Sequence, residues 1–276
     1  MKKKHTGILF VLPHFLGVCI FLFLPFLDVV RRSVFRAAGS FCGLDNFKTV
    51  LANDAFRLAA GNTLRFTLVC LPLLLVLSLC LAVLVYGVGR AAGALKNAYL
   101  VPLAIPAACV VLIWRLLFDA HGMVNGVVTT LGGTAVDWMN TGSAFYVLVG
   151  SYIWKNLGYV VVLWMAAMDA IPGTVYEAAR IDGAGRIASF FYITLPCIRP
   201  AAFTIVVVSF LNSFRVFREA YLVAGNYPHD SIYLLQHVFN NWFLDLSVDK
   251  MAAGAVLLSI VICAAVWMMQ RMWEDQ

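Results

Sequence analysis

Long apolar runs separated by short polar stretches dominate the chain. Six of them, at about 8–27, 64–86, 98–118, 145–168, 201–223 and 252–272, are long enough as helices to cross roughly 30 Å of hydrocarbon at 1.5 Å per residue. Backbone groups in lipid must be satisfied within their own segment, so the runs predict helices. The expected fold class is an all-α membrane protein with six transmembrane helices. Lys2-Lys3-Lys4 leads the first run, which is long enough to span and is followed by no small-residue cleavage site. It reads as a retained first span with the N-terminus inside. Pro102 and Pro106 are expected to kink or locally open the third helix.

One stretch breaks the apolar pattern with a dense set of helix signals. Thr174 is placed to cap a helix starting near Val175, with Glu177 three residues on closing a capping box. Asp182-Gly183 supplies the left-handed position that stops this helix, and Pro196 and Pro200 limit how a second one continues. The pattern predicts two short helices joined at an angle. Ile187, Phe190 and Phe191 give the second an apolar stripe that must pack on something.

The spacing Glu177-Ala178-Ala179, then Asp182-Gly183, Ile193 and Leu195-Pro196 resembles the EAA loop of ABC importer permeases. The resemblance implies the type I importer fold and a cytoplasmic loop whose short helix docks on an ATPase subunit. With six crossings and an inner N-terminus, residues 169–200 and the C-terminus also fall inside. Gly43 to Phe47, Asn62-Thr63-Leu64, Tyr99 to Pro102, Trp114 to Phe118, and Gly122 with Asn125 resemble sugar-importing members, so the resemblance covers almost the whole chain.

Composition agrees with the membrane reading. Charged residues make up 12% and hydrophobic ones 62%, and a soluble domain carries roughly twice that charge fraction. Net charge +6 reads as basic flanks that set topology, with no nucleic-acid partner expected. Inner Lys2, Lys3, Lys4, Arg90, Lys96, Arg180, Arg186, Arg199 and Arg271 stand against outer Arg31, Arg32, Arg36, Lys48, Arg57, Arg65 and Lys250, a weak bias to the inside. Seven cysteines without a CxxC pair imply neither a metal site nor a disulfide frame, and Cys42 is the outer free thiol to watch. No Gly-Lys-Ser/Thr phosphate loop occurs, so ATP is expected on a partner subunit and no cofactor in this chain. The five histidines are scattered, with no His-Glu-x-x-His, and no catalysis is expected.

Polar residues inside a span are costly and usually face a cavity or a partner. Tyr152, Lys155, Asn156 and Tyr159 fall on one stripe of the fourth helix, and Ser209, Asn212, Ser213 and Val216 on a stripe of the fifth. The resemblance implies that such residues hold the sugar midway, and Tyr159 and Ser209 match in residue type; Ser213 stands where maltose-type members carry asparagine. Cavity lining and helix–helix glue both remain open for Ser209 and Ser213. Arg215 and Glu219 are placed to pair at i, i+4. Lys155 has no obvious acidic neighbour in the chain, so it is expected to meet a second permease subunit or an anionic substrate, with the subunit favoured. Trp242, Phe243 and Tyr233 read as interfacial anchors.

The reading is one permease domain over 1–276, with a first helix and outer loop at 1–60 and a five-helix core at 61–272 carrying the EAA loop at 172–200. It is one half of the path of an ATP-driven sugar importer in the plasma membrane. The implied partners are a second homologous permease, two cytoplasmic ATPase subunits and an extracellular solute-binding protein. A sugar acid, glycerol phosphate or peptide is the alternative cargo. A secondary carrier would need buried acids, and Asp119 and Asp169 lie at span ends.

Overall fold

The computed structural model describes residues 3–36, 39–86 and 92–274, with side chains from residue 11 in the first stretch and from residue 98 in the third. Lys2 and Arg90, assigned above to the inner side, lie outside the described residues, as do the side chains of Lys3, Lys4 and Lys96. Apart from one antiparallel bridge between Phe35 and Phe41, the described secondary structure is helical.

In chain order, α1 (Lys3–Val18) passes through a π turn (Cys19–Phe23) into α2 (Leu24–Ser33). Next come α3 (Asp45–Ala52), α4 (Asp54–Tyr86), α5 (Ala92–Ala104), α6 (Ala107–Leu117), α7 (Met123–Thr130) and α8 (Ala144–Asp169). The loop region holds α9 (Gly173–Ile181) and α10 (Arg186–Ser189), and α10 runs through a second π turn (Phe190–Thr194) into α11 (Leu195–Ser213). A 3₁₀ turn (Phe214–Val216) leads into α12 (Phe217–Ala224), and α13 (Leu235–Leu244) and α14 (Val248–Glu274) complete the chain. Five stretches are long and apolar enough to cross a membrane, namely Val11–Ser33, Asp54–Tyr86, Ala144–Asp169, Arg186–Ala224 and Val248–Glu274. The pair α5 and α6 makes a sixth if its two halves count as one span.

Three boundaries depart from the apolar pattern. The third span is no straight helix, since its halves meet at 98°. Pro106 lacks the N–H that a continuous helix needs and pushes Ile105 out of the helical region, so α5 stops at Ala104 and α6 restarts at Ala107. The second span starts at Asp54, ten residues ahead of the apolar run, because helical hydrogen bonding does not depend on hydropathy. The fifth begins at Arg186, since Pro196 sits in the first turn of α11 and the π turn before it takes up the mismatch, the Leu195 N–H reaching back to the Phe190 carbonyl. The second short helix of the loop is thus the extension of a span rather than a separate piece, and Pro196 and Pro200 do not break it.

The chain falls into two compact units, Met1–Arg57 with Leu235–Met272, and Leu58–Leu234 with Trp273–Gln276. In the first, Asn46 donates to the carbonyls of Ser33 and Phe35, and the Cys42 thiol donates to that of Val34. Phe56 stacks on Trp242 with ring centroids 6.1 Å apart. Trp242 is buried, and so is Tyr233, so neither is the interfacial anchor expected; of the three aromatics only Phe243 is exposed.

In the second unit, the core gathers Phe66 and Leu74 from α4 with Val161 and Met165 from α8. Apolar contact gains little over lipid, so polar links and close backbone approach decide how such helices associate. The Trp164 indole donates to Ser78 at 3.0 Å, joining α8 to α4. Gly158 lets α5 come so near that an added Cβ would lie 1.7 Å from the Tyr99 carbonyl oxygen. Arg115 on α6 donates to the carbonyls of Leu222 and Val223, two acceptors that the end of α12 leaves open. Asn125, buried, brings its amide within hydrogen-bond distance of the Asp119, Ala120 and Val136 carbonyls, which fixes the loop that Gly122 and Asn125 open.

Candidate coupling loop and translocation cavity

The loop is a hydrogen-bonded turn that leaves apolar side chains exposed. Pro172, with ψ 132°, occupies the N-cap, so α9 starts at Gly173, two residues before Val175. That displaces Thr174 into the first turn, where its backbone is already helical, and the expected capping box of Thr174 and Glu177 is not formed. The far end behaves as the sequence predicts. Gly183 has φ +81°, its N–H bonds to the Arg180 carbonyl, and the Ala184 N–H bonds to that of Ala179 at 2.8 Å. This is a Schellman cap with Asp182 at the C-cap and glycine at the left-handed position.

Ala179 faces inward, while Glu177, Ala178 and Asp182 are exposed. Two residues of the stripe expected to need a partner are open, Ile187 at 77% exposure and Phe191, while Phe190 is half-buried. Ile181 and Tyr192, which the sequence reasoning passed over, extend the patch at 86% and 83% exposure. Their signal was available, since an isoleucine just before a glycine stop has no helix face to bury it. The loop is braced from within by the Tyr176 hydroxyl and the Thr194 hydroxyl, 2.9 Å apart, so α9 is tied to the π turn that leads into α11. Ile193 is half-buried, and Leu195 and Pro196 are exposed beside that turn.

The polar stripes of α8 and of α11 with α12 meet at a cavity of about 570 Å³. From α8 come Tyr152, Lys155, Asn156 and Tyr159; from the facing helix come Asn212, Arg215, Arg218 and Glu219. Lys155, Tyr159 and Asn212 are therefore brought together. Ser209 and Ser213 are buried outside the lining, Ser213 donating to the Phe210 carbonyl of its own helix. Two electrostatic expectations change here. Lys155 does have an acidic neighbour in this chain, for its Nζ lies 2.5 Å from Glu219 Oε1, with the two side chains 14% and 11% exposed. Glu219 is consequently engaged by Lys155 and not by Arg215, four residues earlier. The 3₁₀ turn at Phe214–Val216 tightens the helix just there, and the pair is long-range, which spacing along one helix does not reveal.

Comparison with known proteins decides the family. Residues 75–274 match the family described as binding-protein-dependent transport system inner membrane component. The chain belongs to that family. The permease is 31% identical over 234 residues to the trehalose/maltose transport system permease protein MalF of Thermococcus litoralis, covering 82% of this chain and 79% of that one. It is 30% identical over 275 residues to the arabinooligosaccharides transport system permease protein AraP of Bacillus subtilis, covering 95% and 86%. With the sn-glycerol-3-phosphate transport system permease protein UgpA of Yersinia pestis the identity is 29%, covering 92% and 89%. Its fold is that of a chain from a bacterial ABC transporter involved in the import of the acidic polysaccharide alginate, with a TM-score of 0.84, 21% identity and coverage of 99% and 96%. The permease therefore has the fold of a type I ABC importer subunit and is a multi-pass inner-membrane protein.

Proposed function

We propose that the permease forms half of the translocation path of an ATP-driven saccharide importer and couples to an ATPase through the loop at 172–200. The observation that carries this is the Schellman turn at Gly183 with exposed Ile181 before it and exposed Ile187 and Tyr192 after it, the latter two on a helix continuous with a span. An apolar patch on a rigid lever is suited to seating in a protein cleft and passing movement into the membrane. Glu177, Ala178, Ala179, Asp182 and Gly183 shape the lever, and Ile193, Leu195 and Pro196 join it to the fifth span. Both termini lie in the cytoplasm in this reading, which puts the loop where an ATPase reaches it. Three relatives named for saccharide transport, with one for glycerol 3-phosphate, support a carbohydrate-type cargo.

The working assembly adds a second homologous permease, two ATPase subunits that bind the ATP, and an extracellular solute-binding protein. Closing the ATPases draws the loops together and rocks the helices, opening the cavity outward. Inside it, Tyr159 offers a ring and a hydroxyl to a sugar, and Asn212 supplies polar contact, with Lys155 on the same lining held by Glu219 and with Ser209 and Ser213 packed behind. The test is a pull-down of the tagged chain from membranes with ATPase activity measured on the eluate. Wild type brings down a second permease and an ATPase, while Gly183→Val keeps them and loses transport-linked hydrolysis. A chain that elutes alone and transports without ATP overturns the reading.

A further inference from the structure

The cavity holds more positive charge than its own acid neutralises. Lys155, Arg215 and Arg218 line it against Glu219 alone, three charges against one, a net +2. Lys155 takes up the glutamate at 2.5 Å. Among the described residues, neither guanidinium lies within ion-pair distance of a carboxylate. Uncompensated charge within a span is costly and marks a ligand path or a partner. A second observation concerns Tyr152 on the same lining: the residue is 4% exposed, and its hydroxyl has no hydrogen-bond partner among the described residues. A buried polar group left open in that way calls for an acceptor.

We propose that the cavity selects an anionic saccharide, one carrying a carboxylate or phosphate, with Arg215 and Arg218 as the groups that receive the anion. The guanidinium fork matches both anions through paired hydrogen bonds, and Tyr152 provides a further donor. Lys155 has a positioning role. By holding Glu219 it keeps that carboxylate from Arg215, its neighbour one turn away, so the arginine stays open to the cargo. The proposal rests on the saccharide-import reading and narrows it.

The test uses the complete importer, with its binding protein unchanged, in proteoliposomes. Uptake is compared for trigalacturonate against maltotriose, and for glucose 6-phosphate against glucose. An anionic probe is expected to enter in preference to its neutral counterpart. Arg215→Gln/Arg218→Gln should lower that uptake at least about tenfold, the loss of one charge-assisted hydrogen bond. Arg215→Lys/Arg218→Lys should restore part of it, and Lys155→Met should lower it with the complex still assembled. Uptake confined to neutral probes, or unchanged anion uptake in the glutamine pair, overturns the proposal and leaves the saccharide reading standing. Loss of the second permease from the purified glutamine variant also overturns it, since the arginines then serve assembly. If no probe of either charge is taken up or stimulates ATP hydrolysis, the saccharide reading itself fails.

Discussion

The loop at 172–200 and the cavity lined by α8, α11 and α12 hold their residues by opposite means. In the loop the defining hydrogen bonds join residues within five positions of one another, Ala184 to Ala179 and Gly183 to Arg180, and the apolar side chains are turned outward. In the cavity the decisive contact joins Lys155 to Glu219, 64 residues apart, and the charges are turned inward. The turn at Gly183 takes its shape from bonds within its own segment. The cavity exists only once the span carrying Lys155 has packed beside the helix carrying Glu219. A lever has to keep its shape while its surroundings move, whereas a binding site has to be remade by that movement.

The largest test of this contrast is Gly158, where α8 meets the backbone of α5. Gly158→Val places atoms inside the Tyr99 carbonyl and should destabilise the bundle by on the order of 3 kcal/mol. The expected result is a large fall in the thermal midpoint of the purified complex and a disrupted cavity beside Tyr159, with the turn at Gly183 intact by limited proteolysis. Equal proteolytic sensitivity in both regions would show that the loop depends on the bundle after all.

Next in size is the ion pair. Glu219→Gln leaves the Lys155 ammonium unpaired and should cost about 2 kcal/mol, because breaking a shielded pair strands a charge that its residual exposure only partly relieves. Lys155→Met together with Glu219→Leu should recover most of that loss, since an apolar pair of similar volume removes both charges. Thermal melting of the two variants against wild type reads the difference. A single variant as stable as wild type would mean that the contact contributes nothing to the packing of these helices.

The contrast also explains what the sequence revealed. Helix period and the Asp182-Gly183 stop depend on near neighbours, and the apolar runs fall on helices, with three boundaries moved, while the left-handed glycine is where the pattern puts it. The start of α9 was misread because two signals competed, Thr174 with Glu177 against Pro172, and the proline fixes the backbone while the side chains only offer a bond. The stripes on α8 and α11 were legible as stripes, since helical spacing puts Lys155 with Tyr159 on one face of α8, but it is the packing of the two helices that brings Asn212 to the same lining. Which carboxylate answers Lys155 was not legible, because Arg215 and Lys155 compete for Glu219 and only the packing of two helices chooses between them. Gly158 gave no signal, as a glycine in a span reads the same whether it faces lipid or another backbone.

A middle-sized effect belongs to the loop. At φ +81° a side chain at position 183 meets its own carbonyl, so Gly183→Ala should cost about 1–2 kcal/mol, and open space around the site means that only the backbone is strained. Circular dichroism should report nearly unchanged helix, with faster proteolysis between α9 and α10. Unaltered cleavage in this variant would indicate a turn that tolerates the L-residue, and the lever would then owe its stiffness to Tyr176 and Thr194 instead.

The smallest effect comes from a second turn with the same hydrogen bonds and the wrong residue. At the end of α13 the Ser247 N–H bonds to the Trp242 carbonyl and the Leu246 N–H to that of Phe243, which repeats the Gly183 cap, but the left-handed position is held by leucine at φ +54°. Leu246 is exposed, so burial of its side chain does not offset the strain. Leu246→Gly should therefore stabilise the protein by about 1 kcal/mol, the relief of the left-handed penalty reduced by glycine's greater freedom when unfolded. The thermal midpoint should rise slightly, where the reverse change at 183 lowers it. A fall at 246 would mean that the exposed leucine is covered by something in the assembled importer, and comparing the chain alone with the full complex would separate the two outcomes.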